Sequence, residues 1–154
     1  MPETLQSLFL ERPFLNSDID ELTRIEEEAG NAQWSHQEIG LVASQLNCDT
    51  RVVTEAANRK RPIAFYVVEH DDATLYLCNL AVAAEWRRKG VALFALEEAA
   101  QLGRFLNYRE LALDVQEENL AAQLLYRKAG FRVTEIRKGF YQSQDGYHMV
   151  RKLS

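Results

Sequence analysis

Leu80-Ala81-Val82 … Arg87-Arg88-Lys89-Gly90-Val91-Ala92 is the stretch on which the reading of this chain turns. It leaves a strand rich in β-branched and aromatic residues, Thr74 to Val82, crosses a basic loop and enters a long amphipathic helix opened by Gly90. A helix N-terminus carries backbone N–H groups without intrahelical partners and a partial positive charge, so it is a ready anion site. Gly90 lets the backbone come close to a phosphate, small Ala92 keeps the approach open, and Arg87, Arg88 and Lys89 add positive charge at the same place. A pyrophosphate is the natural guest. The second glycine and the Lys-Ser/Thr ending of a Walker A loop are missing, which disfavours a nucleotide hydrolase.

Working outward, the chain alternates strands and helices. Residues around Leu8 to Leu15 are expected to form a first strand, with Pro13 favouring an edge. Ser17 is the expected N-cap of a helix through about Glu28, stopped by Gly30, and Ser35-His36-Gln37-Glu38 has the spacing of a capping box opening a second helix towards Leu46. Arg51 to Ala57 and Ile63 to Glu69 read as strands joined by the basic, turn-like segment Asn58-Arg59-Lys60-Arg61-Pro62, and Asp71-Asp72 makes the next turn. After Gly90, Leu93, Leu96, Ala100 and Gly103 recur on one helical face. Glu110 to Val115 alternates as a strand, with Leu111, Leu113 and Val115 on one side and Ala112 and Asp114 on the other. Asn119 caps a short helix ending at Gly130, with Phe131 folding back over its last turn. Phe131 to Arg137 and Tyr147 to Leu153 close the chain as strands, with Asp145-Gly146 at their turn. The pattern predicts an α/β fold with a mixed central sheet and helices on both faces.

A length of 154 residues suits a single domain over residues 1–154, and 47% hydrophobic residues supply a core without disulfides or metals. Cys48 and Cys78 stand in no CxxC pattern and His36, His70 and His148 show no metal-ligand spacing, so no metal is expected and a reducing compartment fits. The first fifteen residues lack a basic flank leading into an apolar run, and no stretch approaches the roughly 18 apolar residues that span a bilayer. Net charge −5 argues against nucleic acid as a partner. A cytoplasmic protein is expected, with no membrane association.

Two blocks carry a family resemblance. Arg87, Gly90 and Ala92 fill a (Gln/Arg)-x-x-Gly-x-(Gly/Ala) signature after a strand; Asn119 and then Ala122-Gln123-Leu124-Leu125-Tyr126-Arg127-Lys128-Ala129-Gly130-Phe131 follow in order. The sequence here resembles the GNAT superfamily of acetyl-CoA-dependent N-acetyltransferases, whose fold is the mixed sheet already expected. Ala32-Gln33-Trp34-Ser35, Asp72-Ala73-Thr74-Leu75-Tyr76 and the ending Ile136 to Gly146 are similar to the bacterial ribosomal-protein N-terminal alanine acetyltransferases within it.

The resemblance implies a transferase that moves acetyl from acetyl-CoA to a primary amine in a ternary complex, most closely the N-terminal α-amine of a protein or peptide. It implies main-chain contacts to acetyl-CoA from Leu80, Ala81 and Val82. It places the pyrophosphate on Arg87, Arg88, Lys89, Gly90, Val91 and Ala92, and adds Asn119 to the cofactor contacts. Tyr126 matches the general acid, since a phenol with a pKa near 10 can protonate a departing thiolate. The family's basic Glu falls on Asp114, one methylene shorter, so a water relay from Asp114, or Glu117 or Glu118 instead, stays open as proton acceptor. Trp34, Phe140 and Tyr141 fall where the acceptor peptide would lie. No nucleophilic Ser or Cys sits in a recognisable elbow, so an acyl-enzyme is not indicated. A small-molecule amine acetyltransferase is the rival enzyme, and a non-catalytic acyl-CoA-binding module the rival of another class.

Overall fold

A computed structural model describes residues 8–29 and 34–153. Seven strands form a sheet in the order β1-β2-β3-β4-β5-β7-β6. They are β1 (Phe9–Pro13), β2 (Cys48–Glu55), β3 (Asn58–Asp71), β4 (Thr74–Val82), β5 (Glu110–Gln116), β6 (Arg132–Tyr141) and β7 (Gln144–Lys152). The helices are α1 (Ile19–Glu28), α2 (His36–Ala43), α3 (Val91–Phe105) and α4 (Leu120–Lys128). Antiparallel pairs β1–β2, β2–β3, β5–β7 and β6–β7 combine with a parallel β4–β5 pair, the mixed sheet that the sequence pattern predicts. The chain divides into two compact units, one running to Glu69 with Cys78–Glu98 added, the other His70–Leu77 with the chain from Ala99 onward.

In the first unit, α1 and α2 cover one face of the sheet. Leu22, Ile25 and Ile39 are buried there against Val52, Phe65, Val67, Ala81 and Ala83. Each Leu, Ile, Val or Phe side chain so withdrawn from water stabilises the fold by about 1.5–3 kcal/mol. The opposite face receives the front of α3, where Phe94 meets Phe9 edge-on at 5.6 Å between ring centroids. The capping box at α2 forms as its spacing predicts: Glu38 N–H donates to Ser35 Oγ and Ser35 N–H to Glu38 Oε1, both at 3.2 Å. α2 stops at Ala43, short of Leu46.

Two local expectations fail in this unit. Ser17 does not cap α1; a 3₁₀ turn, Asn16–Asp18, precedes the helix. Buried Asp18 organises that turn instead, accepting from Leu15 N–H at 2.8 Å and from both Arg12 Nη atoms at 2.8 and 2.9 Å. Asn58 to Pro62 is not the β2–β3 connection but the start of β3; the turn is Ala56-Ala57. The register jumps from Glu55↔Asn58 to Thr54↔Pro62, so Arg59 to Arg61 bulge outward and keep their charges in water. The expected stop at Gly30, with Ala32 and Gln33, lies outside the described residues.

In the second unit, β7 lies between β5 and β6, which leaves β6 at the edge of the sheet. Gly103 of α3 permits close packing, because a Cβ there would sit 2.5 Å from Leu153 Cδ1. Asn119 Oδ1 accepts from Ala122 N–H at 3.1 Å and caps α4 as expected. That helix ends with Gly130 at φ 97°, Gly130 N–H on Arg127 O at 3.0 Å and Phe131 N–H on Tyr126 O at 2.9 Å. This is the left-handed terminus that the Gly-Phe pair predicts. Asp145-Gly146 is not the last turn. The turn is Gln142-Ser143, and Asp145 and Gly146 belong to β7. Asp145 Oδ1 accepts from the N–H of Gly139 (φ 61°) at 2.8 Å, which fixes an irregular stretch of β6, and Gly146 serves packing rather than turning.

Candidate active site

The phosphate-type device is built by backbone. β4 pairs with β5 only from Thr74 to Tyr76 (opposite Glu110 to Ala112), so Leu80 and Val82 carry backbone groups beyond that ladder. Ala81 is buried while Leu80 and Val82 are half-buried. Next comes a 3₁₀ turn, Ala84–Trp86, and then a turn over Arg87 to Gly90 in which Arg88 has φ 61° and Gly90 φ 83°. Left-handed residues ahead of a helix turn successive N–H groups towards one point and form an anion-binding nest. Gly90 O accepts from Phe94 N–H at 3.0 Å as α3 begins. Val91 is buried and Ala92 half-buried.

The three basic side chains divide their tasks. Arg87 donates from Nη2 to Glu28 O at the end of α1 and ties the turn to that helix. Lys89 Nζ lies 5.1 Å from the Trp86 ring centroid, a cation–π contact, and Arg88 is exposed. Beside this turn's strand, Glu26 of α1 is fully buried and its Oε2 accepts from Asn79 Nδ2 at 2.9 Å, with no full hydrogen bond to its Oε1 among the described residues. Burial pushes the Glu26 carboxyl up, with hydrogen bonds from Asn79 and the Trp34 backbone opposing. Trp34 packs half-buried against the α1–α2 core cluster.

The second unit gathers side chains that are far apart in sequence. Asp114 of β5 pairs across the ladder with His148 of β7, which sets both on one face. Its Oδ1 lies 3.0 Å from His148 Nδ1 and 3.6 Å from Arg137 Nε, and its Oδ2 accepts from the Tyr76 hydroxyl. The Asp114 side chain is only 2% exposed. Tyr126 stands edge-on to Phe131 at 5.9 Å between centroids. Burial, with Tyr141 nearby adding to it, pushes the Tyr126 phenol up to about 12, so it holds its proton at neutral pH. The Tyr141 phenol is also raised, by burial first and the Asp114 charge second. Tyr126, Tyr141 and Asp114 therefore share one neighbourhood.

Phe140 is exposed and packs edge-on against Tyr141 at 5.0 Å, with the Arg137 guanidinium 5.6 Å from its ring. Gly146 makes room for this pair: a Cβ there would meet Tyr141 Cε2 at 3.0 Å and Phe140 Cβ at 3.2 Å. Glu117 is engaged with β7, its Oε1 accepting from Asp145 N–H at 3.2 Å, whereas the Glu118 side chain is exposed. Asn119 is occupied as a helix cap. A cavity of about 600 Å³ lined by Asp18, Glu21, Arg24, Lys60 and Arg61 among others contains none of the expected site residues. Among the described residues no helix is long and apolar enough to cross a membrane.

Reading the sequence missed Tyr76, His148, Glu26 and Asn79. The three histidines look scattered in sequence, yet His36 meets Asp20, His70 meets Tyr108 and His148 meets Asp114. Only the β5–β7 register, which a single sequence does not reveal, brings the last pair together.

Comparison with known proteins places this geometry in a family. Residues 19–131 match the acetyltransferase (GNAT) family. An N-alpha-acetyltransferase of Saccharolobus solfataricus is 35% identical over 80 residues, 51% of this chain and 48% of that protein. The chain thus spans about half the length of that relative. The [ribosomal protein bS18]-alanine N-acetyltransferase of Salmonella typhimurium is 28% identical over 131 residues, covering 85% of this chain and 86% of that enzyme. The crystal structure of the ribosomal-protein-S18-alanine N-acetyltransferase from Escherichia coli superimposes with TM-score 0.83 at 22% identity over 96% of this chain and 95% of that one, a likeness of fold. With the family match running over most of its length, this chain belongs to the GNAT acetyltransferase family.

Proposed function

We propose that this chain transfers the acetyl group of acetyl-CoA to the N-terminal α-amine of a protein or peptide, of the ribosomal-protein-alanine type, as one catalytic domain acting in the cytoplasm. The observation that carries the acceptor class is the similarity to the Salmonella typhimurium alanine acetyltransferase across 85% of the chain. The turn at Arg88 and Gly90 ahead of α3 fits the pyrophosphate, and Arg87, Arg88, Lys89, Val91 and Ala92 complete that cradle. Leu80, Ala81 and Val82 offer main-chain groups to the pantetheine arm, and Asn119 adds a contact from the start of α4.

The amine nitrogen attacks the thioester carbon directly in the ternary complex, the C–N bond forms and the C–S bond breaks. Tyr126, protonated and sheltered, gives its proton to the leaving thiolate. The carboxylate of Asp114 belongs to the route by which the amine loses its proton. Trp34, Phe140 and Tyr141 line the acceptor's path.

Peptides beginning with Ala or Ser, N-terminally blocked lysine peptides and free polyamines, each supplied with acetyl-CoA and read by thiol release, test the reading. The expected order has the α-amine peptides first. Faster turnover of polyamines or blocked lysines would reassign the acceptor while leaving the acetyltransferase in place.

A further inference from the structure

Asp114 is poorly placed to take a proton itself. Its side chain is 2% exposed, and both oxygens are engaged, Oδ2 by the Tyr76 hydroxyl and Oδ1 by His148 Nδ1 at 3.0 Å with Arg137 Nε at 3.6 Å. A carboxylate so surrounded by donors is well adapted to orient a neighbour. The neighbour is an imidazole. With Nδ1–H donated to Asp114, the tautomer is fixed and Nε2 keeps its lone pair. His148 Nε2 makes no hydrogen bond to any described residue, and the side chain, 16% exposed, still reaches solvent.

We propose that His148 is the proton acceptor for the incoming amine, with Asp114 and Tyr76 as positioning residues that hold its ring. The inference rests on the acetyltransferase reading above and names the base of that same site. Asp114 and His148 face each other across the β5–β7 ladder, and Tyr76, opposite Ala112 on β4, lies one pleat along the same face. The ionisable groups around the imidazole are Asp114 of β5, Tyr76 of β4, and Glu135, Arg137 and Tyr141 of β6, with Tyr126 of α4 next to Tyr141. Arg137, paired to both Asp114 and Glu135, offsets part of the negative charge around the ring.

The proton balance closes. His148 Nε2 takes one proton from the α-ammonium, and the freed nitrogen lone pair attacks the thioester carbonyl carbon. As the C–S bond breaks, the thiolate takes the Tyr126 proton, and the second nitrogen proton restores the phenol. The proton on His148 leaves to solvent.

The deciding variant is His148→Asn. Its amide can still donate to Asp114 from the place of Nδ1 but has nothing at the place of Nε2. We expect kcat/KM to fall by about 10²-fold, with loss of the acid limb of its pH profile and an unchanged thermal shift by acetyl-CoA. In His148→Ala, added imidazole should restore turnover in proportion to its neutral form, a readout that packing alone would not move; the same rescue serves if the Asn variant folds poorly. His148→Asn within twofold of wild type and with the wild-type acid limb, or no imidazole rescue of a folded His148→Ala, overturns the assignment of the base alone. Wild-type protein that binds acetyl-CoA but acetylates no amine overturns the acetyltransferase reading and this inference with it.

Discussion

The turn at Arg87 to Gly90 and the cluster around Asp114 solve different chemical problems with different parts of the chain. The turn is local: four consecutive residues, two of them left-handed, and a helix start supply the backbone N–H groups of the proposed anion site. The cluster is assembled from β4, β5, β6 and β7, and every contact in it runs through a side chain. A backbone device tolerates change in its side chains but not in its φ angles. A side-chain device does the reverse, since Asp114 and His148 sit in ordinary strand geometry and only their functional groups matter. The two regions should therefore fail differently when altered.

The largest effect is expected in the turn. Gly90 holds φ 83°, where a side chain is strained, and a carboxylate there also opposes a phosphate. Wild-type protein with acetyl-CoA about a hundredfold above Kd should gain ~2.7 kcal/mol of apparent stability. Gly90→Glu should gain none, as read by the melting temperature with and without the ligand. Retention of the shift would mean that the nest is not the anion site.

Next comes Tyr126→Phe, which removes a hydroxyl and leaves the ring on Phe131. We expect kcat to fall by about 10²-fold while the acetyl-CoA thermal shift stays as it was. The contrast with Gly90→Glu sharpens the comparison: one variant loses binding, the other turnover. Wild-type kcat in Tyr126→Phe would reduce the tyrosine to a packing group and revive a binding module as the reading.

How much of this was legible follows the same division. Features set by adjacent residues could be read directly, as with the Ser35–Glu38 box, the Asn119 cap, the Gly130-Phe131 terminus and the basic turn before α3. Features set by pairing could not. The basic run Asn58 to Pro62 resembles a loop in composition, yet it is the bulged start of β3. Asp145-Gly146 has the composition of a hairpin turn, but Gly146 lies within a strand, where a Cβ would press on Phe140 and Tyr141. His148 carried no local signal at all, since its partner is 34 residues away and is met only through the strand register.

Gly146 offers a smaller test within the cluster. A Cβ would press on the Phe140–Tyr141 pair, with contacts of 3.0 and 3.2 Å to side-chain atoms that can partly move. Gly146→Ala should cost ~1–3 kcal/mol of stability and raise the acceptor's KM several-fold, with kcat nearly kept. An unchanged KM for peptides would remove Phe140 and Tyr141 from the acceptor's path.

The smallest effect separates two buried carboxylates, Asp114 and Glu26. Asp114 has both oxygens paired, while Glu26 has Oε2 on Asn79 and no full hydrogen bond to Oε1 among the described residues. Burial raises the Glu26 carboxyl, the hydrogen bonds from Asn79 and the Trp34 backbone only partly opposing it. A carboxyl raised on folding binds its proton more tightly in the native state than in the unfolded chain. Its contribution to stability is then fully present below the unfolded value of about 4.3 and is lost as pH rises through the folded value. Glu26→Gln keeps the oxygen that Asn79 needs and cannot ionise, so it mimics the protonated form at every pH. The variant should match or slightly exceed wild type at pH 8, and its melting temperature should fall less than that of wild type between pH 5 and 8. Asp114→Asn, which leaves Tyr76, His148 and Arg137 facing a neutral amide, should destabilise at pH 8 instead. Parallel melting curves across that range for the three proteins check the contrast. If Glu26→Gln proves the more destabilised of the two at pH 8, Glu26 is held as an anion, and the difference drawn between the two carboxylates is wrong.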